Sequence, residues 1–386
     1  MSERIYLDHA ATTPCRPEAV EAMLPALADG GYNPSSTHAE GRRARALLDG
    51  ARARAAAAIG CRPREIAFTG SGTEADNIAI AGVAKARGAE GRHAVTAATE
   101  HHAVLHAFDA LRDEGWEVTV LPVDGAGLVS AERFEAALRP ETVLASIMLA
   151  NNEIGTVAPV ARLAAIAHAR GVVFHTDAVQ APGLLPVDVA ALGVDLLTLS
   201  AHKFYGPKGV GLLYIREGTP LAPVVHGGGQ EFGLRSGTEN VAGIVGLSVA
   251  LELAVAEQPA NEARIGALRD ALQAGVLAAI PGVRVHGAGA PRLPNNLNLG
   301  IAGVDAQALL VRLDLEGIAA SAGSACTAGS VKPSHVVAAL GGEAGEGVVR
   351  FSLGRLTTQA QVESVLGRLP GIVASMREFP AFVGTR

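Results

Sequence analysis

Three cysteines, four lysines among 32 basic side chains, one tryptophan and 4% aromatic residues are little for a chain of 386 residues. Cysteines at 15, 61 and 326 cannot all pair, and no two stand at the C-x-x-C spacing of a zinc or redox motif. A disulfide scaffold and an intrinsic structural metal are therefore excluded, and a cysteine that does chemistry here does it alone. The lysines, Lys85, Lys203, Lys208 and Lys332, leave few candidates for an amine nucleophile. Charged residues make up 18% and the net charge is −6, so no field attracts a polyanion and direct nucleic-acid binding is not expected. The longest apolar run, 241–251, breaks at Glu252, short of the ~20 residues that cross a bilayer, so no membrane partner is expected. Glu3, Arg4 and Asp8 stand where a signal peptide needs an apolar core, which points to a cytoplasmic protein with reduced thiols.

What remains is enough for a globular core: 49% of residues are apolar, and 46 glycines with 20 prolines fall below low-complexity levels. Apolar β-rich runs at 65–69, 93–97, 117–123, 143–149, 172–175 and 196–200 alternate with helical patterns at 40–59, 73–87, 102–114, 131–138 and 160–170. That alternation predicts an α/β fold with a mainly parallel sheet covered on both faces. After the strand 211–215 the beat changes. Helical stretches at 241–257 and 261–280 lead into isolated strands and helices that read as a smaller α+β domain. The expected division is a large domain over 16–257 and a small one over 1–15 and 258–386. Ligands favour clefts between such domains.

The chemistry-bearing residues fall at strand ends. Lys203 follows the strand that closes at Ser200, which is where an open parallel sheet binds ligands, and a lysine hemmed by apolar residues and an imidazole suits a Schiff base. A plain loop lysine fits the same local pattern. Asp177 closes the neighbouring strand, placed to hold a protonated pyridine nitrogen such as that of pyridoxal phosphate. Gly70-Ser71-Gly72-Thr73-Glu74 joins a strand to a helix N-terminus, with small residues that let amide groups and a hydroxyl reach a phosphate. Glu100-His101-His102 follows the next strand, and a neutral His101 there could stack on a ring or move a proton. Asn151-Asn152-Glu153 presents amides at another strand end, and Gln180 lies just past Asp177. Cys326 stands in Ser324-Ala325-Cys326-Thr327-Ala328-Gly329-Ser330, a run too small to bury, so an exposed mobile loop is expected for it. Cys15 and Cys61 lack such a setting.

Together with Tyr6-Leu7-Asp8-His9-Ala10-Ala11-Thr12-Thr13, Asn33-Pro34-Ser35-Ser36 and Arg235-Ser236-Gly237-Thr238-Glu239-Asn240, these segments resemble the cysteine desulfurase family of fold-type I pyridoxal phosphate enzymes, in its long-loop branch. The resemblance implies a large domain with a seven-stranded sheet and pyridoxal 5′-phosphate bound to Lys203. It further implies Asp177 as partner of the pyridinium, His101 on the ring, and Gly72, Thr73, Ser200 and His202 around the phosphate. Gln180 would meet the phenolic oxygen, Asn152 the cofactor and substrate, and Arg350 the carboxylate of L-cysteine. Thr238 would reach the cofactor of a second subunit, making a homodimer. Cys326 would accept the sulfur as a persulfide and pass it to an acceptor protein such as an iron-sulfur scaffold, with which it would transiently ligate a cluster. The alternatives are a selenocysteine lyase or a small-amino-acid aminotransferase.

Overall fold

The computed structural model describes residues 4–28, 31–323, 334–341 and 346–378. Its largest sheet has seven strands in the order Ile66–Thr69, Gly211–Ile215, Leu196–Ser200, Val173–Asp177, Thr142–Ser146, His93–Ala97, Glu117–Leu121. Six of them are parallel. Gly211–Ile215 runs antiparallel to both neighbours, because the short connection 201–210 returns the chain without room for a crossover helix. The strands Thr142–Ser146, Val173–Asp177 and Leu196–Ser200 are buried at every position. Their period of two divides them between two cores: Phe174, Leu197 and Leu199 join one apolar cluster, Val173 and Leu196 the other.

A second, three-stranded antiparallel sheet pairs Asn296–Ala302 with Val283–Val285 and Glu346–Ser352. The helices Ala306–Leu315 and Gln359–Glu378 cover it, and Ile5 and Leu7 from the start of the chain enter its core beside Leu297, Phe351 and Leu369. Two helical stretches were expected between 241 and 280, but Val241–Ala279 is one helix that runs through Pro259. Its first half packs Leu247, Ala250 and Leu251 into the core of the large sheet, and its second half packs Ile265, Leu272 and Val276 into the core of the small one. One rigid rod thus ties both cores together. Its length and composition would let it cross a membrane, yet 67% of its most apolar window is buried in the protein, as in a core helix. Cys15 and Cys61 are unpaired and half-buried against the first core.

Candidate active site

Parallel strands put their C-terminal ends on one side, and there a cavity of about 200 Å³ opens. Lys203, Asp177, His101, Gly72, Thr73, Asn152, Gln180, Ser200, His202 and Arg350 all line it. Ten of the twelve residues singled out from the sequence are therefore brought together. Thr238 is exposed and is not in the lining. Cys326 lies outside the described residues.

Lys203 ends the 3-10 turn Ala201–Lys203 that follows the strand Leu196–Ser200. Its Nζ donates to the carbonyls of Ala10 and Ala11 at 2.6 and 2.8 Å. Gln180 Nε2 donates to the same Ala10 oxygen at 3.0 Å, so the chain's first segment forms one wall of the cavity. Thr13 pins the turn: its hydroxyl donates to the His202 carbonyl at 2.8 Å and accepts from the Tyr205 amide at 2.7 Å. Tyr205 has φ +66°, a left-handed conformation that a bulky residue keeps only when its surroundings hold it.

Burial dominates the electrostatics. It raises the Asp177 carboxyl to about 6, against the lowering effects of the Val179 amide and the Lys203 cation. His101 caps the helix His102–Asp113, its Nδ1 accepting from the Ala103 amide at 3.2 Å. Burial first and Lys203 second lower its pKa to about 4, so the ring is neutral at physiological pH. His202, bonded through Nδ1 to Thr12 Oγ1 at 3.1 Å, is lowered to about 4 by burial and then by Lys203. A neutral ring, a reluctant carboxylate and an ammonium share one cavity, which is the setting for moving a proton near pH 7.

The helix Gly72–Arg87 aims its N-terminus at this cavity, capped by Ser71 Oγ, which accepts from the Glu74 amide at 3.1 Å. A Cβ on Gly72 would lie 3.1 Å from Val179 Cγ2 and 3.2 Å from Ser200 Cβ, so a small residue lets the helix end approach the strand ends. Glu74 accepts from the Gly70 amide and from Arg235 Nε at 2.6 Å, which ties the 235–240 segment to this turn. The positive helix end and the small turn suit a phosphate. Across the cavity Arg350 is 1% exposed, donating to the Asn152 carbonyl and to Asp8 Oδ1, each at 2.8 Å.

The class-V aminotransferase family matches residues 5–365. "Cysteine desulfurase IscS" of Dictyoglomus turgidum is 48% identical over 98% of this chain and 96% of that relative, and the enzyme of the same name from Methanosarcina thermophila is 47% identical over 97% and 93%. The chain belongs to the cysteine desulfurase family. Solved structures agree. A "NifS-like protein" superposes with a TM-score of 0.90 at 36% identity over 96% of this chain and 100% of that one. "SspA in complex with cysteine" gives 0.78 at 36% identity over 90% and 98%.

Within this cysteine desulfurase cavity some lining groups escaped the reading of the sequence. Asp76 is 1% exposed, and its Oδ1 has no hydrogen-bond partner. Burial, and then the charge of Asp177, push its pKa well above the usual carboxylate range. Its signal was its position: it lies one helical turn after Gly72, on the same face. Ligand atoms of Asp76, His101 and Asp177 lie within 4.8 Å of one another, a spacing that a metal could use, but Lys203 already places a cation against His101 and Asp177. Ala10 and Ala11 contribute backbone carbonyls, which no residue type announces.

Proposed function

We propose that the protein removes sulfur from L-cysteine, giving L-alanine and a persulfide on Cys326. The observation that carries this reading is the meeting of Lys203, Asp177 and Gly72, from three strand ends, around one cavity of about 200 Å³. The residues fit pyridoxal 5′-phosphate: an amine for its aldehyde, a buried carboxylate for its ring nitrogen, and a tight helix end beside Ser200 and His202 for its phosphate. Bound there, the cofactor supplies an electron sink for charge at the substrate Cα.

The chain's own groups do the rest. Arg350 holds the substrate carboxylate in its planar fork, and Asn152 borders both ligands. Lys203 Nζ takes the Cα proton and returns protons as alanine forms. His101, kept neutral, would border the cofactor's ring without adding a positive charge to it. The Cys326 thiolate attacks the substrate sulfur; the carbon–sulfur bond breaks, its electron pair stays with Cβ, and a proton ends there. The carbon is reduced and the two sulfurs become the persulfide, so no external oxidant is needed. An acceptor such as an iron-sulfur scaffold then takes the terminal sulfur by thiol exchange.

We also read the enzyme as a cytoplasmic homodimer with Thr238 offered to the second subunit's cofactor. In support, Val20, Leu24 and Leu27 line one exposed face of the helix Pro17–Ala28. Cys326→Ala should keep the cofactor's visible absorbance yet make no alanine from L-cysteine. Full retention of alanine formation refutes the mechanism, and activity on selenocysteine alone points to a lyase for that substrate.

A further inference from the structure

Glu153 is a buried carboxylate that the mechanism above does not use. It is 1% exposed, and burial raises its pKa against the opposing effects of Ser334, His335 and Arg350. A buried carboxyl is costly unless it is bonded, so its partners matter. Ser334 Oγ donates to Glu153 Oε2 at 2.5 Å. A Cβ built on Gly323 would lie 2.5 Å from that same oxygen and 3.6 Å from Ser334 Cβ. Gly323 and Ser334 are the described residues on either side of 324–333, the segment that contains Cys326. Both ends of that segment therefore meet at one carboxylate oxygen. Gly323 has φ +97° besides, so neither its backbone nor its contact with Glu153 tolerates a side chain.

The other side of Glu153 is rigid. Its amide donates to Asn151 Oδ1 at 2.9 Å, and its carbonyl accepts from Asn298 Nδ2 at 3.1 Å. The preceding residue, Asn152, accepts from Arg350 Nη1 through its carbonyl at 2.8 Å. Residues 151–153 thus join the two ends of the cysteine segment to the guanidinium proposed to hold the substrate carboxylate.

We infer that Glu153 is a positioning residue for Cys326: by gathering Gly323 and Ser334 on one oxygen beside Asn152, it sets where the cysteine segment leaves and rejoins the fold relative to Arg350. This rests on the desulfurase reading. Its effect should fall on the sulfur step, since Glu153 itself does not line the cavity.

The test uses the cofactor-loaded enzyme and its Glu153→Ala, Ser334→Ala and Ser334→Thr variants. Two quantities are read: the cysteine-dependent change in cofactor absorbance, which reports substrate affinity, and single-turnover persulfide formation on Cys326, followed by alkylation and mass spectrometry. Both alanine variants should keep substrate affinity within about twofold while persulfide formation slows about tenfold, the scale expected for a misplaced reacting group. Ser334→Thr should restore most of the rate, and Glu153→Ala/Ser334→Ala should be no slower than the worse single variant. Persulfide formation within about twofold of the parent in both single variants overturns the inference, as does a parallel loss of cofactor or substrate affinity. A parent enzyme that makes alanine with no persulfide on Cys326 overturns the desulfurase mechanism itself.

Discussion

Replacing Asp177 by asparagine separates what the carboxylate costs the fold from what it does for the cofactor. The substitution preserves shape and leaves an oxygen to accept the Val179 amide, now 2.9 Å from Oδ1. Asp177 is 6% exposed, and its pKa rises from 3.8 to about 6 through burial. Because the folded value is the higher one, the neutral acid's stability is fully present below 3.8 and is lost as pH rises to about 6. At pH 8 the ionised group costs the cofactor-free fold about 3 kcal/mol, and at pH 5 about half of that. For 386 residues the unfolding entropy is roughly 0.8 kcal/mol per kelvin, so 3 kcal/mol corresponds to about 4 °C. Stripped of cofactor, Asp177→Asn should therefore melt about 4 °C above the parent at pH 8 and about 2 °C above it at pH 5. With pyridoxal phosphate the order reverses, because the variant cannot pair with a pyridinium. Differential scanning fluorimetry of both forms at both pH values measures this. Equal melting of the two cofactor-free proteins at pH 8 would refute the claim that burial strains this carboxylate.

Thr13→Val removes the hydroxyl that bridges His202 and Tyr205, leaving the Tyr205 amide short of a partner while the His202 carbonyl keeps the Thr13 amide at 2.9 Å. It should lower stability by about 1–3 kcal/mol in thermal unfolding and weaken cofactor retention, because the Lys203 turn loses its side-chain pin. Arg350→Lys keeps the charge but loses the two-pronged contact with Asn152 and Asp8. Steady-state kinetics should show KM for L-cysteine rising roughly 10- to 100-fold while cofactor absorbance is unchanged. Gly72→Val pushes branched carbons against Val179 and Ser200, and equilibrium dialysis should show pyridoxal phosphate affinity falling about tenfold or more.

Much of the site could be read because the residues that matter stand where buried apolar runs stop. Asp177 and Ser200 close the strands Val173–Asp177 and Leu196–Ser200, and Lys203 follows within one turn. A polar residue at the C-terminal end of a central parallel strand has few places to face except the cleft. Asp76 escaped because a helical carboxylate is usually solvated, and only the packing of the helix Gly72–Arg87 against the sheet turns this one inward. The helix Val241–Ala279 escaped because Pro259 lacks an amide donor and reads as a boundary. Its halves are held straight by two different cores, which a local pattern does not report.

The sequence by itself determined the alternation that builds the large sheet, the strand ends that carry Lys203 and Asp177, and the small-residue turn at Gly72. Those follow from local periodicity, turn chemistry and side-chain type. Tertiary structure alone decided that Ala10 and Ala11 meet Lys203 across some 190 residues of chain, that Asp8 pairs with Arg350, and that Glu153 receives Ser334. These contacts use backbone carbonyls and buried carboxylates whose partners lie far away in the chain. Their strength comes from a low-dielectric interior that exists only once the two cores have closed around them.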